Sequence, residues 1–589
     1  MRRVLALAAL VTLCAAPLVG AGAAQAAVAV PVAGPATAEI QGSGSSWAFY
    51  AIQQWIYEVE GSEGLQVNFT DNGSAEGRSD FRNYQNDFAV SDIGFQGADP
   101  LTGSNDSNCQ QIDPDRDCRA YVYLPIVAGG TAFPYHIVVG GRLVDSLRLS
   151  GTTLAKIFTN RITNWDNSEI ANDNNHHFYL AGGGEVASLP DLPIIPVVHS
   201  EGSGTTAQFT LYLDTLFPGL WRPFAGFHGP ALSAPPGTDF SEYWPRQGNQ
   251  EAANGSDGVM DTLTSAADNG AIGFNQYSYS LGQSCSGCGS YGWPTALLEN
   301  KAGYFTAPTQ YNVAVALTQA QINMDPSSPD YLLQKLNNVY TDLDKRTYAM
   351  SSYSYMIIPT SPTDQRMSTP KRQALAWFID WDICGGQANI GKIGYSPLPV
   401  NLAQASFAQM YKLHTADPAV QISNLNIATQ CDNPTFWAGH SEDINYLAQV
   451  APEPAACDQA NQGPCSTPAE AIGSTGNPVH GKAPAPANSG SPTSSSSTST
   501  SSSSTGTSSG TGTNSSSSGG TSGNSDNGAS SGNGEPLVGT PTSLAAAEGS
   551  GDGGLLAGLA AVEVLLLLAI PPIIVRRRNG RGFGRGSGR

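Results

Sequence analysis

Short apolar runs of strand length, separated by helical patterns and by turns rich in glycine and hydroxyl side chains, recur from residue 38 to about 440 and confine that region to an α/β architecture. Leu65–Phe69 alternates like a strand and follows an amphipathic stretch at Trp47–Val59. Tyr121–Val127, Ile137–Val139, Ile194–Val198 and Ala271–Phe274 read as further strands, and Ala207–Leu216 reads as a helix. About 400 residues exceed one doubly wound layer, so two lobes are predicted. Hinge crossings between them are expected at Val127–Val139 and near Tyr395–Pro399.

The flanks read differently. Residues 1–26 join a basic start, Arg2-Arg3, to an apolar run that ends in Ala24-Gln25-Ala26, the pattern of a cleaved signal peptide. Residues 38–440 form the globular region. Residues 441–553 hold a cysteine-containing extension and then a Ser/Gly/Thr-rich linker that has too little apolar surface to build a core. Gly554–Val575 is an apolar run of 22 residues, long enough to cross a bilayer as a helix. Six arginines follow within residues 576–589, so positive-inside bias assigns that tail to the cytoplasm and the rest to the exterior, in a single-pass type I arrangement.

Export suits the cysteines. Without Cys14 eight remain, and short spacing suggests Cys109–Cys118, Cys285–Cys288 and Cys457–Cys465, which leaves Cys384 with Cys431. Setting aside Arg2, Arg3 and the six tail arginines leaves 20 basic against 48 acidic side chains, a balance of −28. A surface of that sign is wrong for nucleic acid, which needs basic groups to displace counterions. It does not steer small anions either, so any anion site must be made by local dipoles.

Four segments have the composition for such a site: Gly42–Tyr50, Asp71–Gly77, Phe88–Asp92 and His199–Thr206. Three of them open a helix. A strand, a glycine turn and a helix start aim unpaired backbone N–H groups and the positive end of the helix dipole at one place, and a Ser or Thr hydroxyl adds a donor without net charge. Taken singly, each is equally an ordinary N-cap.

Together, GSGSSWAFY, VNFTDNGSAEG, DFAVSD, LSGTTLAKIFTNRITNWDN, PVVHSEGSGTTAQFTLYL, GAIGFNQYS and GYSPLP, in collinear order over residues 39–410, resemble the PstS-like phosphate-binding proteins of ABC transporters, of the type II periplasmic-binding-protein fold. The resemblance implies a two-lobed fold whose ligand lies between the lobes. It implies that Ser46 and Trp47 meet the anion by hydroxyl and backbone N–H groups, that Ser74 does so from a second helix start, and that Ser203, Gly204 and Thr205 do so from the other lobe. Asp92 matches an aspartate that accepts a hydrogen bond from a protonated phosphate oxygen. That role has its own logic, because a carboxylate repels an anion that has no proton to donate, so hydrogen phosphate fits and sulfate does not.

One position departs from the family. His199 stands where an arginine is usual, with Glu201 in place of its aspartate. Histidine offers no fixed fork, and its charge depends on pH around a reference pKa of ~6.5, so tighter binding is expected once it is protonated. The change leaves open another tetrahedral oxyanion or a phosphate ester. Arg78 is read as a solvent-facing helix residue.

No metal or cofactor is expected. Asp113, Asp115 and Asp117 alternate as in a calcium loop, but Cys118 replaces the required glycine, and His176-His177 reads as a surface loop. The globular region has no G-x-S-x-G or P-loop pattern, which argues against an enzyme. The expected function is capture of inorganic phosphate, or a similar oxyanion, for ABC-type uptake through a separate permease. The alternative is a surface binding or scaffold protein that keeps the fold without transport.

Overall fold

A computed structural model describes residues 37–104, 119–228, 233–286, 292–328, 330–431, 433–436 and 441–465. Among them the chain forms two main sheets. The larger has seven strands, in the order Asn275–Gln276, Tyr121–Ala132, Ser351–Pro359, Phe88–Ser91, Ile40–Gly44 and Val67–Thr70, with Tyr395–Ser396 also paired to Tyr121–Ala132. Ile40–Gly44 runs parallel to both its neighbours, as crossover helices require. The second sheet orders Glu251–Ala253, Ile195–His199, Ala271–Gly273 and Tyr135–His136. These sheets are the two predicted lobes.

Predicted strands and helices appear with shifted ends. The first helix spans Phe49–Glu63 and buries Ala51, Ile52, Trp55 and Val59, one stripe that faces the first-lobe core. It stops at Gly64, whose φ of 66° is the left-handed conformation glycine adopts without strain. Trp55 Nε1 donates to Gly386 O at 3.1 Å, which ties that stripe to the turn after the helix Thr369–Ile383. The second lobe is held by an aromatic cluster in which Phe158, Phe209 and Phe274 lie 5.0–5.6 Å apart with Trp244 against them. Such contacts add about 0.5–1.5 kcal/mol each beyond the area they bury.

The first hinge lies where it was expected. Tyr121–Ala132 runs out of the seven-stranded sheet and continues into Tyr135–His136 of the other. The second does not lie near Tyr395–Pro399. Tyr395–Ser396 pairs with Ala128 and Gly129, and the chain then enters the helix Val400–Ala416, which packs on the same first-lobe strand. The chain instead passes back between the sheets at Phe274, which joins Ala271–Gly273 of the second sheet to Asn275–Gln276 of the first, and it re-enters the first sheet again at Ser351–Pro359. All nine residues of Ser351–Pro359 are buried.

Cys384–Cys431 and Cys457–Cys465 are bonded as the spacing suggested. The first closes a separation of 47 residues, worth about 4 kcal/mol on a chain-entropy model. Cys285 is disulfide-bonded, but its expected partner Cys288 lies outside the described residues, as do Cys109, Cys118 and the calcium-like aspartates. His176 and His177 are exposed, as a surface loop requires. Residues 441–465 pack onto the globular body: Leu447, Ala448 and Ala451 cover Tyr311, Ala314 and Val315 of the helix Gln310–Leu317. Among the described residues no helix is long and apolar enough to cross a membrane. Residues 1–26 and 554–589 lie outside the described set.

Candidate functional site

The strand ends and helix starts picked from the sequence meet between the two sheets. Gly77 makes one of these approaches possible: a side chain there would collide with Gly44 and the Ser43 carbonyl, so only glycine lets the helix Ser74–Arg82 lie this close to the first strand. From that helix start, Ser74 Oγ donates to Asp92 Oδ2 at 3.2 Å. Ser45 Oγ reaches both carboxylate oxygens, at 2.8 and 2.9 Å, and Ser354 Oγ also donates to Asp92. Burial pushes the Asp92 carboxyl above its ordinary range, and the hydroxyls of Ser354, Ser45 and Ser74, followed by the charge of Arg78, oppose that rise without cancelling it.

Gly204 faces this carboxylate from the other lobe. A Cβ there would press into both Asp92 Oδ2 and Ser74 Oγ. Ser203 caps the helix Gly204–Leu216, its side chain accepting from Thr206 N at 3.3 Å. The backbone ladder starts with Ala207 N to Ser203 O at 3.0 Å, so the amides of Gly204 and Thr205 lie ahead of it, at the positive end of the helix. Ser46 Oγ shares a hydrogen bond with Ser256 Oγ at 2.9 Å and accepts from Ser256 N at 3.2 Å. Ala75 N donates to Gly202 O at 3.1 Å, and Gln208 Nε2 to Asp92 O at 2.8 Å. The two halves touch, so this is a closed form.

Ser46, Ser74, Asp92, Ser203 and Gly204 are thus brought to one cleft, with Thr205 buried in the first turn beside them. Trp47 contributes differently. Its indole Nε1 donates to Thr131 Oγ1 at 3.2 Å and its ring meets Tyr395 edge-on, so the side chain anchors the loop in the first-lobe core. His199 ends a second-lobe strand and is fully buried. Its Nδ1 lies 2.7 Å from Glu201 Oε1, which fixes Nδ1 as donor because an ionised carboxylate only accepts. Nε2 has no partner among the described residues. Burial pushes Glu201 up, but the charge and hydrogen bond of His199, with the Gly255 amide, hold it below its ordinary value.

Arg78 is not solvent-facing. The helix Ser74–Arg82 buries Ser74, Gly77, Arg78 and Phe81, so the arginine shares the inward stripe with Ser74. A charge one turn past a helix start normally points to water, and its acidic partner Glu242 lies 164 residues away, beyond the reach of local spacing. Ser45, Ser256 and Ser354 were also missed. Ser354 had a weak signal in the alternation Ser352-Tyr-Ser-Tyr355, which gives a strand one hydroxyl-bearing face.

Two α/β lobes closed over a cleft of hydroxyls, helix-start amides and the Asp92 carboxylate define a solute-binding clamp. A family model described as the PBP superfamily domain matches residues 29–384, and the chain belongs to that superfamily. It is 29% identical over 386 residues to the phosphate-binding protein PstS3 of Mycobacterium bovis, covering 64% of this chain and 87% of that one. Identity to the phosphate-binding protein PstS of Methanocaldococcus jannaschii is 25% over 375 residues, covering 63% and 85%. A solved periplasmic phosphate-binding protein (PfluDING) with bound phosphate aligns over 66% of this chain and 100% of its own, at 20% identity and a TM-score of 0.46.

Proposed function

We propose that this chain captures inorganic phosphate, or a closely similar oxyanion, between its lobes and delivers it to a separate ABC permease. The observation that carries this reading is Asp92, held by three serine hydroxyls and facing the N-terminal end of the Gly204 helix across the cleft. Neutral donors supply most of the anion's hydrogen bonds. The carboxylate accepts the one proton that hydrogen phosphate carries and sulfate lacks. His199, with Nε2 unspent, stands where a cation is expected. The names of the curated relatives agree with this reading.

We further read the chain as a binding protein without turnover, exported by residues 1–26 and held at the outer face of the cell membrane by 554–575. Isothermal titration of the full-length chain should give heat with phosphate and none with sulfate, and Asp92→Ala or Ser203→Ala should abolish the phosphate signal. Absence of heat with both anions overturns the function. Turnover of a chromogenic phosphate ester overturns its restriction to binding. Protease added to intact cells should remove the globular region, and protection of that region overturns the assignment of the outer face.

A further inference from the structure

The neutral donors leave one pair of charges at the cleft unexplained. Arg78 and Glu242 meet across it, with Nη2 to Oε2 at 2.6 Å and side-chain exposures of 0% and 6%. Each is also fastened to a segment that bears the site. Arg78 Nη1 donates to Ser91 Oγ at 2.8 Å, and Ser91 immediately precedes Asp92. On the other side, the Glu242 backbone carbonyl accepts from Ser203 N at 2.9 Å, at the residue that caps the Gly204 helix. One ion pair therefore connects the strand end carrying the carboxylate to the helix start carrying the amides.

We propose that Arg78 and Glu242 form an inter-lobe latch that positions the two halves of the site around the anion, so that the cation acts through closure and not by touching the ligand. The latch rests on the reading of this cleft as an oxyanion site. When the lobes part, both charges return to water. When they close, the pair is desolvated and its attraction strengthens in the low-dielectric interior, with Ser91 as a further partner for the guanidinium. Opening the loaded cleft must break this contact, whereas entry of the anion into an open cleft need not form it first. Removing one partner of a buried, hydrogen-bonded charge pair therefore acts mainly on dissociation.

The test is stopped-flow phosphate binding by the full-length chain and by Arg78→Ala, Glu242→Gln, Arg78→Lys and the double variant Arg78→Ala/Glu242→Gln. The latch predicts that Arg78→Ala and Glu242→Gln raise koff by roughly tenfold or more while kon moves only a few-fold. Arg78→Lys should recover part of the loss, because it keeps the charge with fewer donors. The double variant should lose less than the sum of the singles. Glu242→Gln keeps its shape, so it remains informative if Arg78→Ala does not fold. An unchanged koff in Glu242→Gln, or additive losses, overturns the latch. If the unsubstituted chain binds no phosphate, the functional reading fails by itself. The latch is then judged by the distance between spin labels on the two lobes: widening in Glu242→Gln supports it, and no change overturns it.

Discussion

Asp92 is buried and, among the described residues, only serine hydroxyls donate to its carboxylate oxygens, while burial holds the carboxyl above the ordinary range. As pH falls through that raised value the carboxylate gains a proton and becomes a donor, so its objection to fully ionised anions weakens. Selectivity for phosphate over sulfate should therefore shrink between neutrality and about pH 4, where an unperturbed aspartate titrates. Asp92→Asn should bring sulfate binding to neutral pH, since the amide can donate where the carboxylate cannot. Competition titrations of the two anions at several pH values measure both effects, and selectivity independent of pH argues against the role given to Asp92. Asp382 presents the same physics without a ligand. It is fully buried, neither carboxyl oxygen has a partner among the described residues, and burial, then the nearby Glu58, push it well up. Because its folded value exceeds the unfolded one, stability falls as pH rises above the unfolded value, by about 1.4 kcal/mol per pH unit until the folded value is reached. Asp382→Asn should thus raise the urea midpoint, and more at pH 7 than at pH 5.

Helix starts carry the next level of organisation. The Gly204 helix comes so close to Asp92 and Ser74 that a single methyl group has nowhere to go. Gly204→Ala should hold the lobes apart and weaken phosphate binding by at least about tenfold, a loss near 1.4 kcal/mol. Titration checks it, and near-normal affinity would mean the cleft closes differently. This closeness could be read in the sequence because strand, glycine turn and hydroxyl cap are written within a few residues of one another, as in Val198-His-Ser-Glu-Gly-Ser-Gly-Thr205. The fold class followed from the same local cadence. Arg78 and Glu242 could not be read that way, since each looks like an ordinary surface charge until the lobes bring them together. Ser354 reaches Asp92 over a separation of 262 residues, through a strand whose pairing no short window records. The second hinge was misplaced for a related reason: Tyr395 lies beside the first hinge strand through pairing, not through chain direction.

At the scale of the molecule, residues 441–465 bind the body together. Arg346 Nη1 donates to the carbonyls of Ala448 and Ala451 at 3.1 and 3.2 Å, and Arg148 Nη1 to that of Cys457 at 2.9 Å. Ending the chain at residue 440 would expose Tyr311, Ala314 and Val315 and leave these guanidinium groups short of acceptors. A loss of about 2–4 kcal/mol is expected, visible as a lower urea midpoint; an unchanged midpoint would mean the extension only rests on the surface. The disulfide loop Cys457–Cys465 is seated on the second lobe, where Asn175 Nδ2 donates to Gln462 O at 2.6 Å and Gly463 O at 3.0 Å. The described residues end at that loop. If the residues that follow moor the chain as proposed, tension along them would be taken up by a cross-linked loop on one lobe, so the other jaw could swing over its cargo without working against it.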